Sequence, residues 1–328
     1  MSMKLASFFS GIGGLDLGFS NAGFEFVFAN DNWKGCWETY EKNHRMKINH
    51  KSIEDITGDD IKEDVVGFVG GPPCQSWSLA GAMRGINDPR GQLLYDYVRL
   101  IEEVKPKFFL TENVPGMVSR THKDEFLKFV QSLKDIGYNT TYKILNASDY
   151  GVPQDRKRVF IIGFRDDVIN TPFIFPSKLN YKVTLREAIG DLPEPKPAIE
   201  KNHANNPSDL NFPNHEYMTG NFSSIYMSRN RVRGWDEQSF TIQAGGRQAP
   251  CHPQANKMIK VEKDKRIFDP DTPNPYRRLS VRECGRIQTF PDDFIFYYDK
   301  IADGYKMIGN AVPVKLAEAL ANQIKKFL

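Results

Sequence analysis

The chain has 328 residues, a net charge of +3, 40% hydrophobic residues and 26% charged residues. This length and composition suit one large and one smaller folded domain, and they exclude a disordered or fibrous chain. A net charge so close to zero excludes a uniformly basic nucleic-acid binder, so any affinity for nucleic acid must come from local clusters. No apolar run approaches the about 18 residues of a membrane span, and we expect no signal peptide at residues 1–6.

The four cysteines lie far apart in the sequence and form no CxxC pair: Cys36, Cys74, Cys251 and Cys284. This spacing argues against a zinc site and against a disulfide framework, and for a reducing compartment. We therefore expect no metal.

The first predicted elements are a strand at Leu5–Phe9, a turn at Ser10–Gly14 and a helix at Leu15–Ala22. In this context glycines let the backbone approach a ligand, and the helix N-terminus offers free N–H groups to a carboxylate. A tight turn without a ligand is the alternative. A second strand, Phe24–Ala29, ends before Asp31, where an acid can accept hydrogen bonds from ribose hydroxyls.

A stiff loop follows the next apolar run, residues 65–69, which predicts a buried strand. Two glycines and two prolines end that strand, and Cys74 comes directly after them. Because prolines fix the backbone, the thiol is held at the carboxyl end of a strand, where open α/β sheets place their ligands. A structural cysteine in a turn is the alternative reading.

Charged residues border the following strands. Residues 81–91 form a polar loop that includes Arg84, and a helix at 92–104 precedes a strand at Lys107–Leu110. Glu112 follows that strand, where a carboxylate is costly unless it is paired or works in catalysis. After a helix at 123–136 and a strand at 140–145, a strand at 158–164 begins beside Arg156 and Arg158, which could also form surface ion pairs.

The composition changes near Pro172, and residues 198–275 lose helical periodicity, which predicts a small irregular domain. Arg229, Arg231 and Arg233 alternate, so on a strand they would share one face, and Arg247 lies nearby. Such a row suits bidentate contacts to guanine, whereas a solvated basic edge strand is the alternative. A helix at 280–288 and a last helix after Pro313 complete the prediction.

Three segments resemble, in order, the catalytic motifs of the DNA cytosine-5 methyltransferases: Pro72-Pro73-Cys74-Gln75, Glu112-Asn113-Val114 and Gln154-Asp155-Arg156-Lys157-Arg158. The resemblance extends from Phe9 to the C-terminal helix. Residues 228–233 and 252–255 are similar to a narrower group, the restriction-modification enzymes that modify GGCC sites.

The resemblance implies an α/β fold, a doubly wound and mostly parallel sheet that binds S-adenosylmethionine, with a second, smaller and irregular target-recognition domain. The expected division is a catalytic domain at 1–171, a target-recognition domain with its hinge at 172–276, and a return at 277–328 in which the C-terminal helix packs on the catalytic domain. The expected catalytic residues are Cys74, Glu112, Arg156 and Arg158. The expected cofactor-binding residues are Phe9, Gly11, Gly13, Gly14, Leu15, Asp31, Asp55, Ile56, Gly71, Pro73, Leu93, Asn310, Ala311 and Val312. The expected DNA-binding residues are Arg84, Arg229, Arg231, Arg233 and Arg247.

The implied activity is transfer of a methyl group to carbon 5 of the inner cytosine of GGCC in double-stranded DNA, through a covalent adduct of Cys74 with a flipped-out base. Such an enzyme protects DNA from a cognate nuclease. We expect a monomer in the cytoplasm of a prokaryote. An RNA cytosine methyltransferase and a catalytically inactive nucleic-acid-binding module are the alternatives; the arginine-bearing insert favours DNA, and the presence of Cys74, Glu112 and Arg158 argues against an inactive core.

Overall fold

A computed structural model describes residues 2–61, 63–73, 89–169 and 171–328, with the backbone alone at 89–91. Cys74 and Arg84, both predicted site residues, lie outside the described residues. The chain divides into two compact units. The first comprises Met1–Asn146, Lys157–Lys178 and Leu316–Leu328, and the second comprises Ala147–Arg156 and Leu179–Lys315. These limits differ from the division at 171 and 276 expected from the sequence, which stays a prediction about functional domains.

The first unit contains a six-stranded sheet in the order β2-β1-β3-β4-β6-β5. Its strands are β1 (Met3–Phe8), β2 (Phe24–Asn30), β3 (Gly67–Gly70), β4 (Phe108–Asn113), β5 (Tyr138–Asn146) and β6 (Lys157–Arg165). The pairs β1–β2, β1–β3 and β3–β4 are parallel, whereas β6 runs antiparallel to β4 and to β5. Most strand pairs are therefore parallel, and parallel strands need crossover connections, which are usually helices. This arrangement confirms the predicted fold class.

Helices cover both faces of this sheet. They are α1 (Gly14–Asn21), α2 (Lys34–His44), α3 (Pro89–Val104) and α4 (Lys123–Asp135). Side chains of α3 and α4 share one apolar core with Phe8, Phe68 and Phe109. Successive residues of a strand point to opposite faces, and accordingly Phe108 contacts Phe24 and Phe164 in a second aromatic layer. Phe327, near the end of the chain, packs on Phe164 in that layer.

The second unit is mostly irregular, as the loss of periodicity predicted. Its helices are α5 (Leu185–Ile189), α6 (Val281–Ile287) and α7 (Ile301–Asn310), and α8 (Val314–Ile324) starts in this unit and ends in the first. Its strands are short: β7 (Lys196–Pro197), β8 (Glu216–Tyr217), β9 (Ile259–Glu262) and β10 (Lys265–Ile267). Helix α7 and the β9–β10 hairpin were not predicted. The glycines of α7 hid its helical pattern, although Tyr305 and Ile308 are buried at helical spacing.

A buried ion pair lies inside the second unit. Both terminal nitrogens of Arg277 lie 2.9 Å from the carboxylate oxygens of Glu283, and Glu283 also caps α6 by accepting the Ser280 N–H at 2.7 Å. His252 Nε2 lies 3.5 Å from the same carboxylate, and burial lowers the pKa of His252 to about 4. The pair therefore satisfies a carboxylate that would otherwise be costly to bury.

Two strand glycines admit aromatic rings into the sheet. A Cβ atom on Gly163 would lie 2.2 Å from a ring carbon of Phe109, and one on Gly67 would lie 2.1 Å from a ring carbon of Phe108. Because no Cβ tolerates such distances, each ring occupies space that only glycine leaves. None of the described helices is long and apolar enough to cross a membrane.

We predict that Gly163→Ala lowers the free energy of unfolding by about 1–3 kcal/mol, because the added methyl overpacks the layer around Phe109. Urea unfolding followed by tryptophan fluorescence measures the change. Gly245→Ala is the control: its backbone is extended and no described atom lies within 4 Å of the added carbon, so its midpoint should be unchanged. Equal midpoints for the two variants would contradict the close approach.

Candidate active site

The turn between β1 and α1 has an unusual backbone. Phe9, Gly11 and Gly13 all have positive φ, at 52°, 55° and 77°. A Cβ atom on Gly11 would have no described heavy atom within 4 Å, so this part of the turn faces open space. Gly14 and Leu15 then begin α1. The turn therefore offers an accessible backbone at a helix N-terminus, which is what a carboxylate-bearing ligand requires.

Asp31 is tied to this turn. It follows β2, and its carboxylate accepts the Gly11 N–H at 2.9 Å and the Trp33 N–H at 2.8 Å, one on each oxygen. A carboxylate has about four acceptor positions, so an acid held at this place is chemically suited to the hydroxyls of a ribose. The sequence spacing placed Asp31 beside the turn, and the structure brings the two into direct contact.

Other predicted cofactor residues lie around the same apolar core. Ile56 is fully buried in the core, and Phe9 and Leu93 pack against it from the β1 edge and from α3. Asp55 ends a short 3-10 helix, Ile53–Asp55, and its side chain is exposed. Thus residues that are far apart in the sequence border one region of the first unit.

The carboxyl ends of β1, β3 and β4 meet at one edge of the sheet. Phe8 pairs with Gly70, and Gly70 pairs with Thr111, so the next residue of each strand lies at the same level. A Cβ atom on Gly71 would lie 3.7 Å from Glu112 Oε2. The side-chain nitrogen of Asn113, Nδ2, donates to the Pro72 carbonyl oxygen at 3.4 Å. The segment that leads to Cys74 is therefore adjacent to Glu112.

Glu112 is paired with Arg158. The Arg158 Nε lies 3.0 Å from Glu112 Oε1, and the two side chains are only 16% and 11% exposed. In the antiparallel β4–β6 pairing Glu112 faces Phe160, which puts Arg158 beyond the end of β4. The atoms satisfy the ion-pair distance, but their angle is not that of a hydrogen bond, so Oε1 has no hydrogen-bond donor among the described residues. The pair is thus close, with an acceptor position still open.

Arg156, two residues earlier, belongs to the second unit and is 1% exposed. Its terminal nitrogens donate to three backbone carbonyls, those of Ile242, Gly309 and Ala311, at 3.0, 2.9 and 3.1 Å. Arg156 therefore holds the end of α7 against the segment around Ile242. Three predicted cofactor-binding residues lie at this point: Asn310 ends α7, and Ala311 and Val312 follow it directly.

The four predicted DNA-binding arginines of the second unit differ in their surroundings. Arg231 donates to the carbonyls of Tyr226 and Ile225, and Arg233 lies 3.3 Å from Glu237 and 3.4 Å from Asp155. Arg229 and Arg247 are exposed and form no hydrogen bond or ion pair with the described residues. Both exposed guanidinium groups are therefore available to a partner.

The strand on which these arginines were expected is absent from the described residues at 229–233. A single bridge joins Val232 to Cys251 there. The Asn230 side chain donates to the Val232 carbonyl at 2.6 Å, so this acceptor is used by a local hydrogen bond of the kind that competes with strand pairing.

Sequence reasoning missed a polar cluster beside the glycine turn: Ser7, Asp16, Tyr40 and His44. One signal could have found it: Asp16 stands between two leucines in an apolar stretch, and an acid that is buried with such neighbours is almost always paired. Among the described residues no group of three His, Cys, Asp or Glu side chains is arranged to hold a metal ion.

Comparisons with known proteins agree on one family. A family model described as C-5 cytosine-specific DNA methylase matches residues 3–326. A type II methyltransferase of Methanothermobacter thermautotrophicus, M.MthTI, is 71% identical over 328 residues, which is 100% of this chain and 98% of that protein. M.FnuDI of Fusobacterium nucleatum, also named a type II methyltransferase, is 52% identical and covers 99% of this chain and 95% of its own length.

A solved structure supports the fold. The crystal structure of a candidate DNA modification methyltransferase encoded within an E. coli prophage superimposes with a TM-score of 0.76 at 23% identity, over 99% of each chain.

We predict that Arg156→Met lowers the free energy of unfolding by at least about 3 kcal/mol, because three buried carbonyls lose a charged donor. Thermal unfolding measures the loss. Arg229→Met, the same change at an exposed position of the same unit, should alter stability by less than about 0.5 kcal/mol. An Arg156 variant with unchanged stability and abolished methylation would instead indicate a direct catalytic role.

Proposed function

The chain belongs to the C-5 cytosine-specific DNA methylase family and is a DNA (cytosine-5) methyltransferase of the type II restriction-modification kind, and from this premise we propose that it methylates the inner cytosine of GGCC through a covalent Cys74 adduct. Methylation of this site would protect the DNA of a prokaryotic cell from a nuclease with the same target. The observation that carries the chemistry is the Glu112–Arg158 pair beside the segment that leads to Cys74.

Carbon 5 of cytosine is a poor nucleophile until carbon 6 is attacked. In the proposed reaction the Cys74 thiolate forms a bond to carbon 6, and the electron pair of the 5,6 double bond becomes available at carbon 5. Cysteine suits this role because its thiolate is intrinsically a strong nucleophile. When bound, S-adenosylmethionine would supply an electrophilic methyl group, whose bond to sulfur breaks as carbon 5 bonds to it, with a neutral thioether as the leaving group. Solvent water then accepts the carbon 5 proton, the thiolate leaves carbon 6, and N3 returns its proton to Glu112, which restores the aromatic ring and frees Cys74.

Glu112 and Arg158 would act on the same base. Addition of the thiolate is easier when N3 of the ring is protonated, and Glu112 would supply that proton. Arg158 would donate to the ring O2 while its Nε stays beside Glu112, since a guanidinium has five N–H donors. Because the reacting atoms are inaccessible within a stacked duplex, the base must be flipped out.

The glycine turn and Asp31 fit the proposed cofactor. The turn leaves open space beside Gly11 and free N–H groups at the start of α1, which would receive the carboxylate of S-adenosylmethionine. Asp31 would accept from the ribose hydroxyls. Asp55 stays the predicted partner of the adenine amino group, and Ile56, Leu93, Asn310, Ala311 and Val312 stay predicted cofactor-binding residues.

The proposed target depends on Arg229 and Arg247 above all. Their exposed guanidinium groups can each bind O6 and N7 of a guanine, which suits a G-rich site. The order of the bases comes from the resemblance of residues 228–233 to enzymes that modify GGCC. Arg231 and Arg233 already make contacts inside the second unit, so a role in DNA binding would require them to share or exchange those contacts.

We predict that Cys74→Ser no longer forms a covalent complex with duplex DNA that carries 5-fluorocytosine at the target. The fluorine cannot leave as a proton, so the wild-type adduct should persist and migrate as a denaturation-resistant band in the presence of S-adenosylmethionine. Cys251→Ala is the control, and it should form the adduct normally because Tyr226 keeps its hydrogen bond to the Ala249 carbonyl. An undiminished adduct with the serine variant would exclude Cys74 as the nucleophile.

We predict that plasmid DNA from cells that express the protein resists a GGCC-cutting nuclease and shows bisulfite protection at the inner cytosine. Arg247→Ala should cost about 1–3 kcal/mol in binding and relax specificity at one base pair. Arg247→Lys is the charge-matched control: if the arginine reads a base, lysine fails to restore specificity, and if it only grips phosphate, lysine restores binding to all sequences. Complete cleavage, with bisulfite protection at another site, would discard GGCC and leave the methyltransferase activity standing.

A further inference from the structure

A series of hydrogen-bonded hydroxyls that ends on one buried carboxylate adjoins the glycine turn in the first unit. The Ser10 hydroxyl donates to the Ser7 hydroxyl at 2.8 Å, and Ser7 donates to Asp16 Oδ1 at 2.8 Å. The Tyr40 hydroxyl donates to the other oxygen, Asp16 Oδ2, at 2.6 Å. Asp16 and Tyr40 are completely buried. These bonds connect the turn to α1 and, through Tyr40, to α2.

His44, in the last turn of α2, contacts the turn directly. Its ring stacks on that of Tyr40 with a centroid separation of 4.3 Å, and its Nε2 lies 3.1 Å from the Ile12 carbonyl oxygen. Since a carbonyl oxygen can only accept, the ring nitrogen is the donor in this hydrogen bond. A Cβ atom on Gly13 would lie 2.1 Å from Nε2, so the imidazole fills the space that glycine leaves at position 13.

The turn requires such support because of its backbone. Three of five successive residues, Phe9 to Gly13, have positive φ, and a residue with a side chain adopts that region only at a cost. Asp31, which follows β2, accepts a hydrogen bond from the Gly11 N–H of the turn. His44 contacts the following residues, Ile12 and Gly13, which immediately precede the N–H groups at the start of α1. Tyr40 contributes indirectly, through its stacking on His44 and its hydrogen bond to Asp16 of α1.

Burying Asp16 is also costly, which argues for a specific role. Burial raises the pKa of Asp16, whereas His44 and the hydroxyls of Tyr40 and Ser7 lower it by stabilising the charged form. An apolar residue at this position of α1 would avoid the desolvation cost altogether. The carboxylate is present instead and receives a donor on each oxygen, which orients both the Tyr40 ring and the Ser7–Ser10 pair.

We propose that Tyr40 and His44 are positioning residues for the cofactor: they hold the turn from Ser10 to Gly14 in the conformation that binds S-adenosylmethionine, without touching the cofactor themselves. The inference rests on the proposed cofactor and adds two residues from α2 that set the affinity for it. We expect their effect to be confined to the affinity for S-adenosylmethionine, because neither residue is among the predicted catalytic or DNA-binding residues.

The test compares four variants of the full chain by calorimetry with S-adenosylmethionine and by steady-state kinetics. His44→Ala should raise the dissociation constant and the KM for S-adenosylmethionine about tenfold, the equivalent of one lost hydrogen bond. The kcat at saturating cofactor and the KM for DNA should stay within about twofold of wild type. His44→Gln, which keeps an N–H donor at the reach of Nε2, should restore most of the affinity.

Tyr40→Phe tests the second residue, because it removes only the hydroxyl that binds Asp16 and keeps the ring that stacks on His44. It should weaken S-adenosylmethionine binding about fivefold, with the melting temperature recorded for each variant. Glu38→Ala is the control: it lies on the exposed side of α2, paired with Lys42, and should change neither affinity. The isosteric tyrosine variant keeps the inference testable if His44→Ala does not fold.

Unchanged cofactor affinity in both His44→Ala and Tyr40→Phe would overturn the inference. A parallel rise in the KM for DNA and for S-adenosylmethionine, together with a fall in melting temperature and no recovery in His44→Gln, would also overturn it, since that pattern is general destabilisation. If the wild-type protein itself did not bind S-adenosylmethionine, the proposed cofactor would fail and the inference with it, so the two failures are distinguishable.

Discussion

The alignment of three parallel strands is the constraint on which the rest of the site depends. Phe8, Gly70 and Thr111 are paired in register across β1, β3 and β4, so the residues that follow them lie at one level of the sheet edge. The glycine turn, the segment before Cys74 and Glu112 therefore lie side by side, although about 100 residues separate the first from the last. A shift of one residue in any strand would point its side chains to the opposite face and separate these groups.

The Glu112–Arg158 pair depends on the change of direction in this sheet. A parallel neighbour of β4 would bring its own carboxyl end to the edge, whereas antiparallel β6 brings its beginning, and with it Arg158. An almost buried carboxylate needs a nearby cation, because an unpaired charge in this position costs several kcal/mol. Glu112 Oε1 has no hydrogen-bond donor among the described residues. The Arg158 cation therefore stabilises the carboxylate without occupying every acceptor position.

Features that depend on strand ends could be predicted from the sequence, and features that depend on distant contacts could not. Apolar runs mark β1, β2 and β4, and the polar residues after these runs, such as Asp31 and Glu112, followed directly from that pattern, although β4 itself continues through Glu112 to Asn113. The different surroundings of Arg229 and Arg231 are invisible in a row of alternating arginines, because Arg231 owes its partners to the backbone of residues 225 and 226. Asp16 was missed for the same reason, since its donors come from β1 and α2.

The pentapeptide from Gln154 to Arg158 illustrates how one motif can carry two separate requirements. The chain passes from the second compact unit to the first between Arg156 and Lys157. On one side of that point Arg156 satisfies three carbonyls of the second unit, and on the other Arg158 lies beside Glu112 in the first. The planar fork of arginine suits both tasks for different reasons, the first needing several donors in one buried plane and the second a permanent charge next to an acid. Lysine, with a single compact charge, would replace arginine poorly at both positions.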